Sequence, residues 1–331
     1  MSASVDGRNL SERGFVRLIF GAVVVTFAMI VIGAVTRVTE SGYGCGPYWP
    51  SCNGHLIPEF HDMTVVIEFG HRLFALVVGG FTFAVAYQAW KRYRHIPRIF
   101  NIAMFAVALF FVQSALGAVT VALYQFWPSG QWASVIIHLG NSMFLLATFL
   151  VLWVNARTLT TPAPRTVAIP PSALLLGAAL SFLVAMIGGI VAGTNATKAC
   201  IGWPLCGNEV WPSTQGTLQM LNMLHRLVAG ALGVMLILMM IQVRSSTNTL
   251  LRGALWTAFA VYMGQAVLGA AVVLVENRDW LVVSRSLHVF GAALTWAAMI
   301  TASAIAWLQR LPEMKNVRPV GAVTSSVTIS N

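Results

Sequence analysis

Four histidines stand where an imidazole is costly. His71, His138, His225 and His288 each fall inside a long apolar run, a turn or two from one end of it. An ionisable side chain within a membrane-length apolar segment is by default a functional feature with a partner. A single such residue is as readily a histidine hydrogen-bonded between helices. Four at matching depth, related in pairs, are poorly explained that way. Two imidazoles at one level of a helical bundle suit axial ligation of an iron held in a flat macrocycle, as in haem. Zinc is the competing metal, but it prefers four ligands, commonly including cysteine or carboxylate. The pairs here, His71 with His138 and His225 with His288, stand about 65 residues apart on separate segments. His55, His61 and His95 lie among polar loop residues and read as solvated side chains.

The neighbours of these histidines sharpen the reading. Arg72 and Arg226 each follow a histidine directly. A guanidinium there suits haem propionates, because its planar fork matches a carboxylate; snorkelling to the interface is the alternative. Gln113 and Gly117, like Gln265 and Gly269, share a helix face by their i, i+4 spacing, and the glycines permit close approach of a ring. Three residues before His71 stands Glu68, whereas three before His225 stands Asn222. Positions i and i+3 share a face, so Glu68 is expected to point into the cavity of His71. A carboxylate beside an apolar pocket is costly unless it handles protons or pairs with a base such as Arg72. This asymmetry suggests a reactive first half and a static second half.

The elements that must position these residues follow from composition. Of 331 residues, 57% are apolar and 9% charged, with a mean hydropathy of +0.76. Soluble chains carry about 25% charged residues. In hydrocarbon only helices and closed barrels satisfy their backbone polar groups, and long unbroken apolar runs choose helices. Spans are predicted at 15–37, 64–90, 100–123, 134–156, 171–193, 217–243, 253–275 and 282–308. The first run is as long as a full span and shows no cleavage site behind it, so it reads as the first helix and not as a signal peptide.

The formal charge of +10 does not indicate a nucleic-acid partner. Arg8, Arg13, Arg17, Lys91, Arg92, Arg94, Arg98, Arg157, Arg165, Arg244, Arg252, Arg310, Lys315 and Arg318 fall on one side of the map. Glu40, Glu59, Asp62, Glu68, Glu209, Glu276 and Asp279 fall on the other. The positive-inside rule then expects both termini in the cytoplasm, the histidines toward the outer face, and a multi-pass protein of the cell membrane surrounded by lipid.

The chain also repeats itself at an offset of about 150 residues. Glu68-Phe-Gly-His71-Arg72-Leu73 recurs as Asn222-Met-Leu-His225-Arg226-Leu227, and Gln113-Ser-Ala-Leu-Gly117 as Gln265-Ala-Val-Leu-Gly269. Ile137-His138-Leu139 recurs as Leu287-His288-Val289, and Trp49-Pro50-Ser51-Cys52 as Trp203-Pro204-Leu205-Cys206. The expected fold is an all-α integral membrane protein of eight transmembrane helices, arranged as two tandem, repeat-related four-helix bundles over residues 1–160 and 161–331. Their join is the stretch 157–170, where Pro162, Pro164, Pro170 and Pro171 break helical continuity.

All four cysteines lie in predicted outer loops: Cys45 and Cys52 in one, Cys200 and Cys206 in another. Four cysteines allow three pairings, and equivalence between the repeats favours Cys45–Cys52 and Cys200–Cys206. The outer side is oxidising. Structural staples and electron carriers are both open readings, although the spacing is not that of a CxxC redox motif.

Together these residues resemble the haem A synthase family, in particular its bacterial type with cysteine pairs in the outer loops. The resemblance covers roughly residues 15–310 and rests on Glu68-Phe-Gly-His71-Arg72, the loop from Gly42 to Gly54, Leu224-His225-Arg226, His138 and His288. It implies an oxidoreductase that converts a ring methyl group of haem O to a formyl group, with oxygen from water, giving haem A for terminal oxidases. It further implies substrate haem between His71 and His138, a cofactor haem b between His225 and His288, and Glu68 as the essential acid. Cys45 and Cys52 match the pair associated with activity, and Cys200 and Cys206 a structural pair. Lys198 has no counterpart in the family motifs. An electron acceptor, a haem O synthase and oxidase assembly factors are the implied partners. Two rivals retain the same ligands: a di-haem cytochrome that only carries electrons, and a haem transporter or chaperone. The carrier gives Glu68 no task, and the transporter predicts no chemical change in the bound haem.

Overall fold

The computed structural model of the chain is described over residues 2–160 and 169–308. The predicted breaks at Pro162 and Pro164, the cation Arg165, and the tail with Arg310, Lys315 and Arg318 lie outside the described residues, as do the side chains of Arg8 and Asp279. Among the described residues there are eight α-helices and no strand: α1 Ser2–Val38, α2 Met63–Tyr93, α3 Pro97–Phe126, α4 Gln131–Arg157, α5 Pro171–Gly193, α6 Thr217–Val243, α7 Thr249–Leu274 and α8 Arg278–Leu308. Each contains a stretch long and apolar enough to cross a bilayer.

Helix is the form these segments must take, because hydrocarbon offers no water to an unpaired amide. Polar side chains inside the spans obey the same rule. The hydroxyls of Thr82, Thr148 and Thr301 each donate to the carbonyl four residues earlier, at 2.8 Å. The bounds of α5 and α6 coincide with the predicted spans; α1 to α4 run past theirs at both ends, α8 only at its start, and α7 starts earlier but stops one residue short. Hydropathy marks where a helix leaves hydrocarbon, not where its hydrogen bonds stop; Lys91 and Arg92 continue α2 beyond its apolar run. Starts are set locally. Pro97 and Pro171 open α3 and α5, where a missing N–H costs nothing. Asp62 accepts the Thr64 amide at 2.9 Å to cap α2, and Asn248 accepts the Leu251 amide at 3.0 Å to cap α7.

Packing closes two rings. α1 lies against α2 and α4, and α3 against the same two; α5 lies against α6 and α8, and α7 against those. The rings meet where α8 packs on α1 and α4, and α4 on α5. Within their spans α4 and α8 are 56% and 67% buried, against 11% and 17% for α3 and α7. The first two therefore form the spine and the second two face lipid. Lipid is as apolar as leucine, so helix association here rests on close packing and interhelical hydrogen bonds. Phe149, Leu146, Leu152, Leu236 and Met299 are sealed in that core. Trp296 of α8 donates its indole N–H to the Met143 carbonyl of α4 at 3.3 Å, and its ring meets Phe182 of α5 at 5.3 Å.

The connections 39–62, 127–130, 194–216 and 275–277 share one end of the molecule. Cys45 is bonded to Cys52 there, and Cys200 to Cys206. Lys198 has a place in this layer: its ammonium donates to the Val275 carbonyl at 3.1 Å, a cation at the carboxyl end of α7.

Candidate functional site

Each of the four spanning histidines is seated against a glycine of the preceding helix. A Cβ added at Gly33 of α1 would lie 3.2 Å from His71 Cε1 on α2. One at Gly117 of α3 would lie 3.5 Å from His138 Cε1 on α4, and one at Gly269 of α7 3.5 Å from His288 Cε1 on α8. At Gly188 of α5 it would reach 2.9 Å from His225 Cε1 on α6, close enough to displace the ring. The glycines thus admit the imidazoles themselves to the helix surface. Gly117 and Gly269 are the two that sequence reading expects, as small wall residues for a ring. Gly33 and Gly188 escape it, although they are separated by about the same interval as His71 and His225.

The imidazoles are unusual in their hydrogen bonding. Nδ1 of His71, His138, His225 and His288 is buried with no partner in every case. His225 and His288 face each other with ring centroids 6.4 Å apart and planes at 66°. Imidazoles that ligate one ion from opposite sides, with metal–nitrogen bonds of about 2 Å, put their centroids about 6 Å apart. Among the described residues no three of His, Cys, Asp and Glu converge as metal donors, and all four cysteines are in disulfides. A donor set of two imidazoles suits a metal whose remaining positions are filled by a macrocycle. The residues present therefore fit haem better than a zinc ion held by protein alone.

Beside His71 lies a charged cluster that the sequence reveals only in part. Glu68 is 3% exposed. Its Oε1 accepts from Arg72 Nη2 at 2.5 Å, and its Oε2 accepts from the Cys45 backbone N–H at 2.7 Å. Arg72 Nη1 donates to the carbonyls of Tyr48 and Ser51, both at 2.7 Å. The pair thus grips the disulfide-closed turn 45–52 at three of its backbone groups. Gly44 makes this approach possible, since a Cβ there would sit 2.5 Å from the Thr64 carbonyl carbon. Tyr43, next to it, stacks on Tyr124 at the end of α3, with centroids 4.1 Å apart.

The corresponding cluster beside His225 inverts the polarity. Asn222 is 4% exposed, and its Nδ2 donates to the Ala196 and Thr197 carbonyls at 2.7 and 3.1 Å. Arg226 Nη1 donates to the carbonyls of Gly202, Pro204 and Leu205 at 3.0, 3.1 and 2.8 Å. The acid of the first cluster accepts a backbone amide where the amide of the second donates to backbone carbonyls. The paired glutamines also diverge. Gln113 accepts from Asn141 Nδ2 at 2.7 Å, whereas Gln265 Nε2 donates to the His288 carbonyl at 2.7 Å. His55, His61 and His95 take no part; His61 pairs with Glu59 at 2.9 Å on the surface.

Residues 16–300 match the COX15-CtaA family, described as cytochrome oxidase assembly protein. The chain is similar to the Heme A synthase of Shouchella clausii, 32% identical over 257 residues, covering 75% of this chain and 83% of that protein. The Heme A synthase of Alkalihalophilus pseudofirmus is 28% identical over 295 residues, 86% of this chain and 97% of its own. That of Halalkalibacterium halodurans is 29% identical over 279 residues, 82% and 91% respectively. With the match running from the first helix to the last, the chain belongs to the COX15-CtaA family of cytochrome oxidase assembly proteins.

Proposed function

We propose that this chain is a haem A synthase, an oxidoreductase that converts a ring methyl group of haem O to a formyl group with oxygen from water. The observation that carries the reading is the inequality of its two imidazole pairs: alike in their glycine seats, they differ in that only the first has a buried carboxylate beside it. Haem O as substrate would lie between His71 and His138, and a resident haem b between His225 and His288. The two closed helical rings support the division into repeat-related halves, 1–160 for the substrate and 161–331 for the cofactor. The resident haem supplies one-electron redox chemistry when bound. His71 and His138 orient the substrate ring, and the apolar walls exclude bulk water from it. Glu68 accepts a proton released at the reacting carbon. Because Arg72 and the Cys45 amide fix that carboxylate before substrate enters, no orientation is left to be found at the moment of reaction. Oxidation of the methyl group releases electrons as well as protons, so an electron acceptor is a required partner.

The distribution of basic residues supports a cell-membrane protein with both termini cytoplasmic and the disulfide end outside. A haem O synthase would supply the substrate and oxidase assembly factors would receive the product. The test is co-expression with a source of haem O, followed by extraction and mass analysis of the haems. Formyl-bearing haem A is the expected product, lost in Glu68→Ala with haem retained at His225 and His288. Unchanged haem O in the presence of an electron acceptor would favour a carrier or a transporter instead.

A further inference from the structure

Among the described residues, two guanidinium groups near the second histidine pair have no ion-pair partner. Arg226 spends Nη1 on three loop carbonyls, which leaves its Nη2 buried with no partner. Arg285 stands three residues before His288 in α8, one turn nearer the disulfide end and on the same helix face. Its Nε is buried and unpartnered, and the adjacent Ser286 hydroxyl is buried without a bond. Among the described residues neither arginine has a salt bridge. The first half differs at each point. Arg72 puts one Nη on Glu68 and the other on two carbonyls, and the residue three before His138 is the apolar Val135. A guanidinium N–H that is buried without an acceptor is unfavourable. Two of them beside one imidazole pair specify a ligand that brings two negative groups to the edge of a flat ring. Planar guanidinium favours carboxylates for that role.

We propose that Arg226 and Arg285 bind the two propionate carboxylates of the haem held by His225 and His288. This grip, which the first half lacks, makes the second site a permanent holder and the first a site of exchange. The inference rests on the haem-site reading above but not on the methyl oxidation: haem A formation could fail and the grip would stand.

The test uses the full chain in a His71→Ala/His138→Ala background, so that only the second site is loaded. It is reconstituted with haem b or with haem b dimethyl ester, whose carboxylates are capped, and transfer to apomyoglobin is timed. Arg226→Gln and Arg285→Gln should each speed loss of haem b by about tenfold or more, as removal of a charge-assisted hydrogen bond predicts. Loss of the ester should be unchanged by either substitution. Arg285→Lys should recover part of the retention. The Soret band of the ester-loaded variants reports an intact bis-histidine site, which separates the grip from a folding defect. Equal acceleration for both ligands, or none for haem b, overturns the proposal. So does loss of co-purifying lipid phosphorus from the variants with haem release unaltered, which would assign the arginines to a phospholipid headgroup. If His225→Ala/His288→Ala leaves haem content unchanged, the haem-site reading itself has failed, whatever the arginines do.

Discussion

Replacing Glu68 with Gln changes charge and donor pattern while keeping shape. Both partners of the carboxylate, Arg72 Nη2 and the Cys45 amide, are donors. A glutamine side chain presents one acceptor oxygen and one NH2, so one of these contacts becomes donor against donor and is lost. The surviving bond changes from charge-assisted to neutral. Bonds to charged groups contribute about 1.5–3 kcal/mol and neutral ones about 1 kcal/mol. The cluster is little exposed, with side chains 14% and 5% accessible for Arg72 and Glu68, so solvent screening reduces these values little. The expected cost is about 2–4 kcal/mol, localised in the turn 45–52. A factor of ten corresponds to about 1.4 kcal/mol, so exchange of the Cys45 amide should quicken by roughly 30- to 1,000-fold. Hydrogen exchange followed by mass spectrometry on peptides spanning residues 41–55, with the disulfide intact, measures this directly. If turnover collapses while the Cys45 amide stays as protected as in the parent, Glu68 does not organise the loop and its role is confined to the substrate.

Three further outcomes follow from the same geometry. Asn222→Asp turns a carboxylate toward the Ala196 and Thr197 carbonyls and should loosen loop 194–216 by about 1–3 kcal/mol; unchanged amide protection at 196–206 would contradict the assigned contacts. Gly188→Ala should displace His225 and lower haem content at the second site severalfold, whereas Gly269→Ala, at an ordinary contact distance, should leave the bis-histidine spectrum near the parent's; equal effects would refute the seating of the rings. Trp296→Ala removes a buried ring and its bond to Met143 at the meeting of the two bundles, and should cost about 3–5 kcal/mol in detergent-denaturation assays; a loss below about 1 kcal/mol would show that the interface does not depend on it.

The helices are legible in the sequence because hydrocarbon leaves an apolar segment one way to satisfy its amides, and α5 and α6 match the predicted limits. The other ends depend on caps and on polar turns that hydropathy does not weigh. The histidine pairs can be read from depth and recurrence, and the Glu68–Arg72 pair from its i, i+4 spacing. The hold of that pair on Cys45, Tyr48 and Ser51 cannot be read, because it depends on how a loop folds back over a helix end. Gly33 and Gly188 are visible in principle as helical glycines at the interval of their histidines. A glycine in a span is equally a packing residue, however, until the neighbouring side chain is located. Arg285 is a charge inside a predicted span and is visible as such. Its meaning depends on which groups stand around it, and only the fold reveals that.

The helices that carry His138 and His288 are also the spine, α4 packed on α8. Each histidine pair therefore has one member on a shared wall and one, from α2 or α6, on a wall of its own. Admitting or releasing a ring in the first half cannot be done by tilting α4 alone, since a close-packed interior passes displacement on to what it touches. The pliant side of that site is α2 with lipid-facing α3, and a guest that enters laterally would part those two. In the proposed arrangement, the spine would keep the spacing between the two histidine pairs fixed while a substrate ring came and went.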